Sequence, residues 1–167
     1  MQLVIDGYNL IHHVPELAMA EATGQGADAL AAALNLYRRK KAHKITIVLD
    51  GGPEPEGGRQ ALHGVPTLFS GRARSADDVI ADLAARHGPG LTVVTSDRDL
   101  ARRCQAHDAQ VVSSGRFAAL LMDCVLGAGG SAEDEGDDGW DFSTRKKGPS
   151  TRAPKRLRRR KSVLGKL

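Results

Sequence analysis

The chain has 167 residues, 41% of them apolar and 26% charged, with a formal net charge of +4. One globular domain with a sizeable core is expected, and no run approaches the ~18 apolar residues of a membrane helix. The charge is uneven: residues 1–126 carry 13 Lys+Arg and 14 Asp+Glu, and residues 127–167 carry 11 and 6.

The N-terminus enters directly on the strand-like Leu3-Val4-Ile5, without a basic region or cleavage site, so a cytoplasmic location is expected. Strand one covers Gln2 to Ile5 and stops at Asp6-Gly7-Tyr8-Asn9, where Gly7 permits a tight turn and Asp6 has an Asx-type turn as its plain explanation. Residues 10–26 read as a loop with room for one helical turn. Gly24-Gln25-Gly26-Ala27-Asp28-Ala29 matches G-x-G-x-x-A as a string, but no strand runs into it, which excludes a dinucleotide site. Ala27 to Ala42 form a helix with Leu30, Leu34 and Tyr37 on one face, closed by Arg38-Arg39-Lys40-Lys41. Those cations suit the helix dipole or an RNA-facing patch.

Ile45 to Leu49 form a buried strand ending in Asp50. Gly51 to Gly58 read as a loop. Val65 to Phe69 are a weaker strand, with Pro66 arguing for an edge position. Ser75-Ala76-Asp77-Asp78-Val79-Ile80 opens a helix with a capping-box-like start, which runs to about His87. Leu91 to Thr95 are a buried strand, followed by Ser96-Asp97-Arg98-Asp99 and a helix to about Ala106, with Ser96 as its cap. Gln110 to Val112 are a short strand, and Phe117 to Leu126 a last apolar helix. Five strands alternating with helices predict an α/β fold whose mainly parallel sheet is covered on both faces.

Cys104 and Cys124 lie in helix-like stretches without metal spacing and read as reduced packing residues. After Leu126 the chain turns Gly- and acid-rich and then basic over residues 145–161. Residues 1–126 are therefore read as the folded domain and 127–167 as a disordered tail, whose basic part is a candidate nucleic-acid contact.

Each acid alone has a cheap explanation as a cap or a dipole partner. Together they do not. Asp6, Asp50 and Asp97 follow apolar strands expected to run parallel, and Asp77 and Asp78 start a helix on the same rim. Carboxylates gathered without cations repel, and their natural partner is Mg²⁺ or Mn²⁺. Such an ion polarises a phosphoryl oxygen and activates water, so no nucleophilic side chain is required. The six histidines form no metal-binding or base motif. A haloacid-dehalogenase-type phosphatase needs a second acid where Tyr8 stands, which argues against an aspartyl-phosphate route.

The segments Val4-Ile5-Asp6-Gly7-Tyr8-Asn9-Leu10-Ile11, Ser75 to Ile80 and Val94 to Asp99 together resemble the NYN domain, in its YacP-like branch of the PIN-like nucleases, over about residues 1–126. The resemblance implies a three-layer αβα fold and a metal-dependent endoribonuclease that leaves a 5′-phosphate and a 3′-hydroxyl. It implies mRNA cleavage in contact with the ribosome. It makes Asp6, Asp77 and Asp97 the metal-binding and catalytic acids, with Asp77 preferred to Asp78 because of the place of Ile80. Asp99 would complete the cluster directly or through water. Asn9 would orient Asp6 or contact a phosphate. From their places near the acids, Arg72, Arg74 and Arg98 are candidate phosphate contacts. The competing reading is a non-catalytic RNA- or ribosome-binding adaptor whose acids are vestigial and whose tail supplies the affinity.

Overall fold

The computed structural model describes residues 1–127, and the expected tail therefore lies outside the described residues. The elements in chain order are β1 (Gln2–Asp6), α1 (Gly7–His12), α2 (Pro15–Glu21), α3 (Gly26–Lys40), β2 (Lys44–Leu49), β3 (Gly58–Leu62), β4 (Val65–Phe69), α4 (Ala76–His87), β5 (Leu91–Val94), α5 (Arg98–Ala106), β6 (Gln110–Val112) and α6 (Ser114–Leu126).

The six strands form one sheet in the order β3-β4-β2-β1-β5-β6. All neighbours are parallel except β3 and β4. Apolar β-branched runs occupy the middle because parallel strands are covered on both faces. On one face Val4, Val48, Leu91 and Val93 pack under Ile80 and Ala84 of α4 and Leu100 and Cys104 of α5. Strand alternation turns Leu3, Ile5, Ile47 and Leu49 to the opposite face, where they are also fully buried. There α3 and α6 meet through Tyr37 and Phe117, whose rings lie edge to face at 5.4 Å. Each such buried aliphatic side chain stabilises the fold by about 1.5–3 kcal/mol. The expected three-layer α/β/α fold with a mainly parallel sheet is what the chain adopts.

Three details differ from the sequence reading. The segment read as a loop after Asn9 forms α1 and α2, with Asp6 capping α1 through a bond from Asn9 N. Gly7 is helical there. Its need for a missing Cβ is spatial, since that atom would stand 2.5 Å from Leu49 Cδ2 and 3.1 Å from the Val48 carbonyl.

A sixth strand, β3, forms from a polar segment with exposed central residues. It turns into β4 through His63-Gly64, both at positive φ, a two-residue hairpin turn. This removes Pro66 from the edge. The two-residue turn makes Leu62 and Val65 the hydrogen-bonded pair, so Pro66 sits in a non-hydrogen-bonded pair with Ala61. Its ring nitrogen then faces β2, where pairing begins only at Thr67.

Candidate active site

The sheet order sends the chain to opposite sides of β1, toward β2 and later toward β5. The carboxyl ends of strands at such a switch point form a crevice. Register puts Asp6 opposite Val48, with Asp50 just beyond the end of β2. Ile5 pairs with Val94, so Thr95 to Asp97 leave β5 beside Asp6.

Asp6 is 8% exposed. Its Oδ2 accepts a bond from Thr95 Oγ1 at 2.9 Å, and its Oδ1 accepts one from Asn9 N at 3.3 Å. Burial pushes its pKa up to about 6, the two hydrogen bonds oppose the rise, and the charges of Asp77 and Asp50 add to it. Asp77 is half-buried in the first turn of α4. Its pKa is raised by burial and then by the charges of Asp97 and Asp50, with Arg103 offsetting part of this. Among the described residues, no Lys, Arg or His forms an ion pair with Asp6, Asp50, Asp77 or Asp97.

The backbone around these acids is fixed by side chains. Asp97 caps α5, its Oδ1 accepting from Leu100 N at 2.8 Å. Thr95 Oγ1 accepts from Asp97 N at 3.0 Å while donating to Asp6. Asp50 Oδ1 accepts from Ala76 N at 2.6 Å and from Ser70 Oγ at 3.4 Å, and so ties the start of α4 to the end of β2.

Asn9 does not orient the Asp6 carboxylate through its side chain. Its Oδ1 accepts from Ser96 N at 2.9 Å and from Ser114 Oγ at 2.6 Å. It thereby joins α1, the loop carrying Asp97 and the start of α6. Ser96 does not cap α5. Its Oγ accepts from Ser114 N at 3.0 Å, at the start of α6.

The remaining candidates are paired with other side chains or exposed. Asp78 accepts a bond from Arg103 Nη2 at 2.7 Å, and that bond holds its carboxyl below the usual range. Asp99 has a side chain 83% exposed and pairs with Arg102 one turn on, at 3.1 Å. Arg74 pairs with Asp82 at 2.6 Å. Arg72 and Arg98 are exposed.

The sequence reading missed two buried polar residues: Thr95, which bonds the Asp6 carboxylate and the Asp97 N–H, and Ser114, which bonds Asn9 and Ser96.

A family model described as the YacP-like NYN domain matches residues 3–126. The chain belongs to that family. The family is one of PIN-like nuclease domains, which supports an RNase-type function. Among solved structures the chain is similar to Rae1 (YacP) from Bacillus subtilis. It shares 23% identity with that structure at a TM-score of 0.63, covering 75% of this chain and 76% of the other. The W164L mutant of the same protein gives 22% identity, a TM-score of 0.64, and coverage of 75% and 77%. At these identities the likeness is one of fold. No curated protein matches.

The rim offers carboxylate oxygens, hard donors of the kind Mg²⁺ and Mn²⁺ take. Among the described residues, no group of three or more His, Cys, Asp or Glu forms a ready-made metal cage. The donor set still fits Mg²⁺, which keeps several waters and is held by one or two carboxylates together with substrate phosphate. No helix of the described residues is long and apolar enough to cross a membrane.

Proposed function

We propose that this domain is a Mg²⁺- or Mn²⁺-dependent endoribonuclease that hydrolyses RNA phosphodiester bonds at the rim formed by Asp6, Asp77 and Asp97, with Asp50 beside them. One observation carries the reading. Four carboxylates stand at neighbouring carboxyl ends of β1, β2 and β5 and at the start of α4, with no ion-pair partner among the described residues. Such a group has no reason to face a polyanion unless a cation sits between them.

When bound, the cation neutralises charge developing on the phosphoryl group and promotes attack by water. One or two of Asp6, Asp77 and Asp97 at a time would hold it, together with a substrate phosphate. Thr95 fixes the carboxylate of Asp6 and the backbone of Asp97 together, so that two ligands move as one unit. Asp50 keeps Asp77 on the rim by anchoring the start of α4. Arg72 and Arg98 lie beside this edge in sequence and serve as phosphate contacts. The paired Arg74, and Asp78 and Asp99 with their own arginines, play lesser parts. The family resemblance supports mRNA as the substrate, the ribosome as the place of encounter and the cytoplasm as the location.

The adaptor reading draws on the lack of a ready-made metal cage among the described residues. Asp97→Asn separates the two. Asn is as good an N-cap as Asp, so α5 keeps its bond from Leu100 N and the fold is retained. Only the charge goes. Labelled RNA and ribosomes should be cut in Mn²⁺ and left intact in EDTA, and the variant should lose roughly 100-fold or more in rate while RNA binding persists. Undiminished cutting by the variant, or full activity in EDTA, removes the metal-nuclease reading.

A further inference from the structure

The acids occupy one pole of the sheet. Toward the amino ends of β1, β2 and β4, on the side of the edge strand β3, lies a cleft of ≈ 550 Å³. Its wall includes Arg38, Lys44 and Arg59, with His43, Gln2 and Thr46 between them, and no acid lines it.

Register and alternation explain the grouping. Gln2 pairs with Lys44 across β1 and β2. Thr46 precedes the Ile47–Thr67 pair, which brings it beside Pro66; across β3, Ala61 stands opposite Pro66, and Arg59 stands opposite Leu68, from where its side chain joins the cleft wall. These positions share the sheet face that α4 covers higher up, over Val4 and Val48. The helix cover does not extend to Lys44, Pro66 and Arg59, which remain exposed. Arg38 closes the side. Its Nη1 donates to the Gly64 carbonyl at 2.9 Å and its Nη2 to Asn35 Oδ1 at 3.3 Å, which fixes the guanidinium in place.

We propose that this cleft binds the phosphates of an RNA backbone as a second contact, remote from the acidic rim. Three permanent cations around one concavity repel each other, and an anion relieves that repulsion. The apolar side chains of the wall are Ile45 and Pro66. That is too little to anchor a protein partner through an apolar core, whereas phosphate contacts need only charge and hydrogen bonds. RNA as the anion rests on the nuclease reading; the cationic cleft does not. Gln2 and Asp6 mark the two ends of β1, roughly 13 Å apart at about 3.3 Å per residue. Only RNA long enough to leave the rim reaches both sites. The cleft therefore favours extended substrates.

The test is binding of single-stranded RNA of about 20 nucleotides by the full chain in EDTA, where cleavage plays no part, across a salt series. Lys44→Glu with Arg59→Glu is compared with Arg86→Glu plus Arg116→Glu, an equal change of charge placed on exposed positions of α4 and α6. The cleft pair should weaken binding roughly tenfold and lower the slope of log K against log salt by about 1.4, two phosphates' worth for a single strand. Lys44→Gln with Arg59→Gln should give an intermediate loss with an unchanged thermal midpoint. Equal losses from the cleft and control pairs, or unchanged affinity in the cleft variants, overturn the proposal. Absence of cleavage in Mn²⁺ sinks the nuclease reading and leaves this measurement standing.

Discussion

At the scale of single residues, Asp6 carries the sharpest consequence. Its pKa of about 6 in the fold lies above the 3.8 of an unperturbed Asp, chiefly because it is buried. The fold thus prefers the protonated acid. Its contribution to stability is fully present below about pH 4 and is lost as pH rises through 6, a loss on the order of 3 kcal/mol. Asp77 is shifted in the same direction and adds to the trend. In EDTA, unfolding of the wild type between pH 4 and 7 should show this falling component, and Asp6→Asn should flatten it. A cation acts in the opposite sense, because it binds the ionised form. Added Mn²⁺ should raise the thermal midpoint above pH 6 and have no effect at pH 4. A Mn²⁺ effect independent of pH would place the ion elsewhere. The places of Asp6, Asp77 and Asp97 on the rim were legible in sequence because a polar residue ending an apolar strand, or opening a helix, declares its place locally. The same rule reached Asp50. It misjudged Ser96, since a Ser before a helix looks like its cap and nothing local reveals that Asp97 takes that role.

Among the elements, α1, the β5–α5 loop and α6 are held together by Asn9. Asn9→Ala leaves Ser96 N without its acceptor and Ser114 Oγ without its bond. The expected loss is about 2 kcal/mol, against about 1 kcal/mol for Ser114→Ala, where Ser96 N keeps its acceptor. Because the two share one bond, the double variant should fall short of the sum by at least 0.5 kcal/mol, or roughly half of that bond. Urea unfolding of the four proteins measures this, and strict additivity would show that the hub is not a unit. Asn9→Ala should also lower the cleavage rate, because the loop bearing Asp97 loses its tie. None of this was legible in sequence. The bonds from Thr95 to Asp6, from Ser96 to Asn9 and from Ser114 to Asn9 join residues 89, 87 and 105 positions apart. The core strands were legible because their apolar, β-branched runs are long. β3 was not, since its Arg59, Gln60 and Ala61 are all exposed and leave no alternation to read. The short α1 and α2 were hidden for a related reason. Each is stabilised by packing on its neighbours more than by propensity over six or seven residues.

On the scale of the whole molecule, the charge split between residues 1–126 and 127–167 sets the last expectation. The first segment, near neutral by count, nevertheless separates its charges: carboxylates at the carboxyl ends of β1, β2 and β5, and a cationic cleft toward the amino ends of β1, β2 and β4 that Arg59 joins from the edge strand β3. Such a separation suits a chain of phosphates held at one end and cut at the other. Residues Met1–Ala128 form a compact unit by themselves, and the core strands and the acids all lie within it. Removing residues 129–167 takes away the basic run Lys155 to Lys161 and leaves this unit whole. If the catalytic reading is right, the truncated protein keeps its thermal midpoint within a few degrees, a shift corresponding to less than about 1 kcal/mol. It still cuts RNA in Mn²⁺, with weaker binding and a shallower salt dependence, because fewer phosphates are neutralised. Under the adaptor reading the same truncation abolishes the only activity, RNA or ribosome binding, and no cleavage appears in either protein. The residual salt slope of the truncated protein is itself informative. If Lys44 and Arg59 contact phosphate, that slope stays well above zero, and the Lys44→Glu with Arg59→Glu change lowers it by as much as in the full chain.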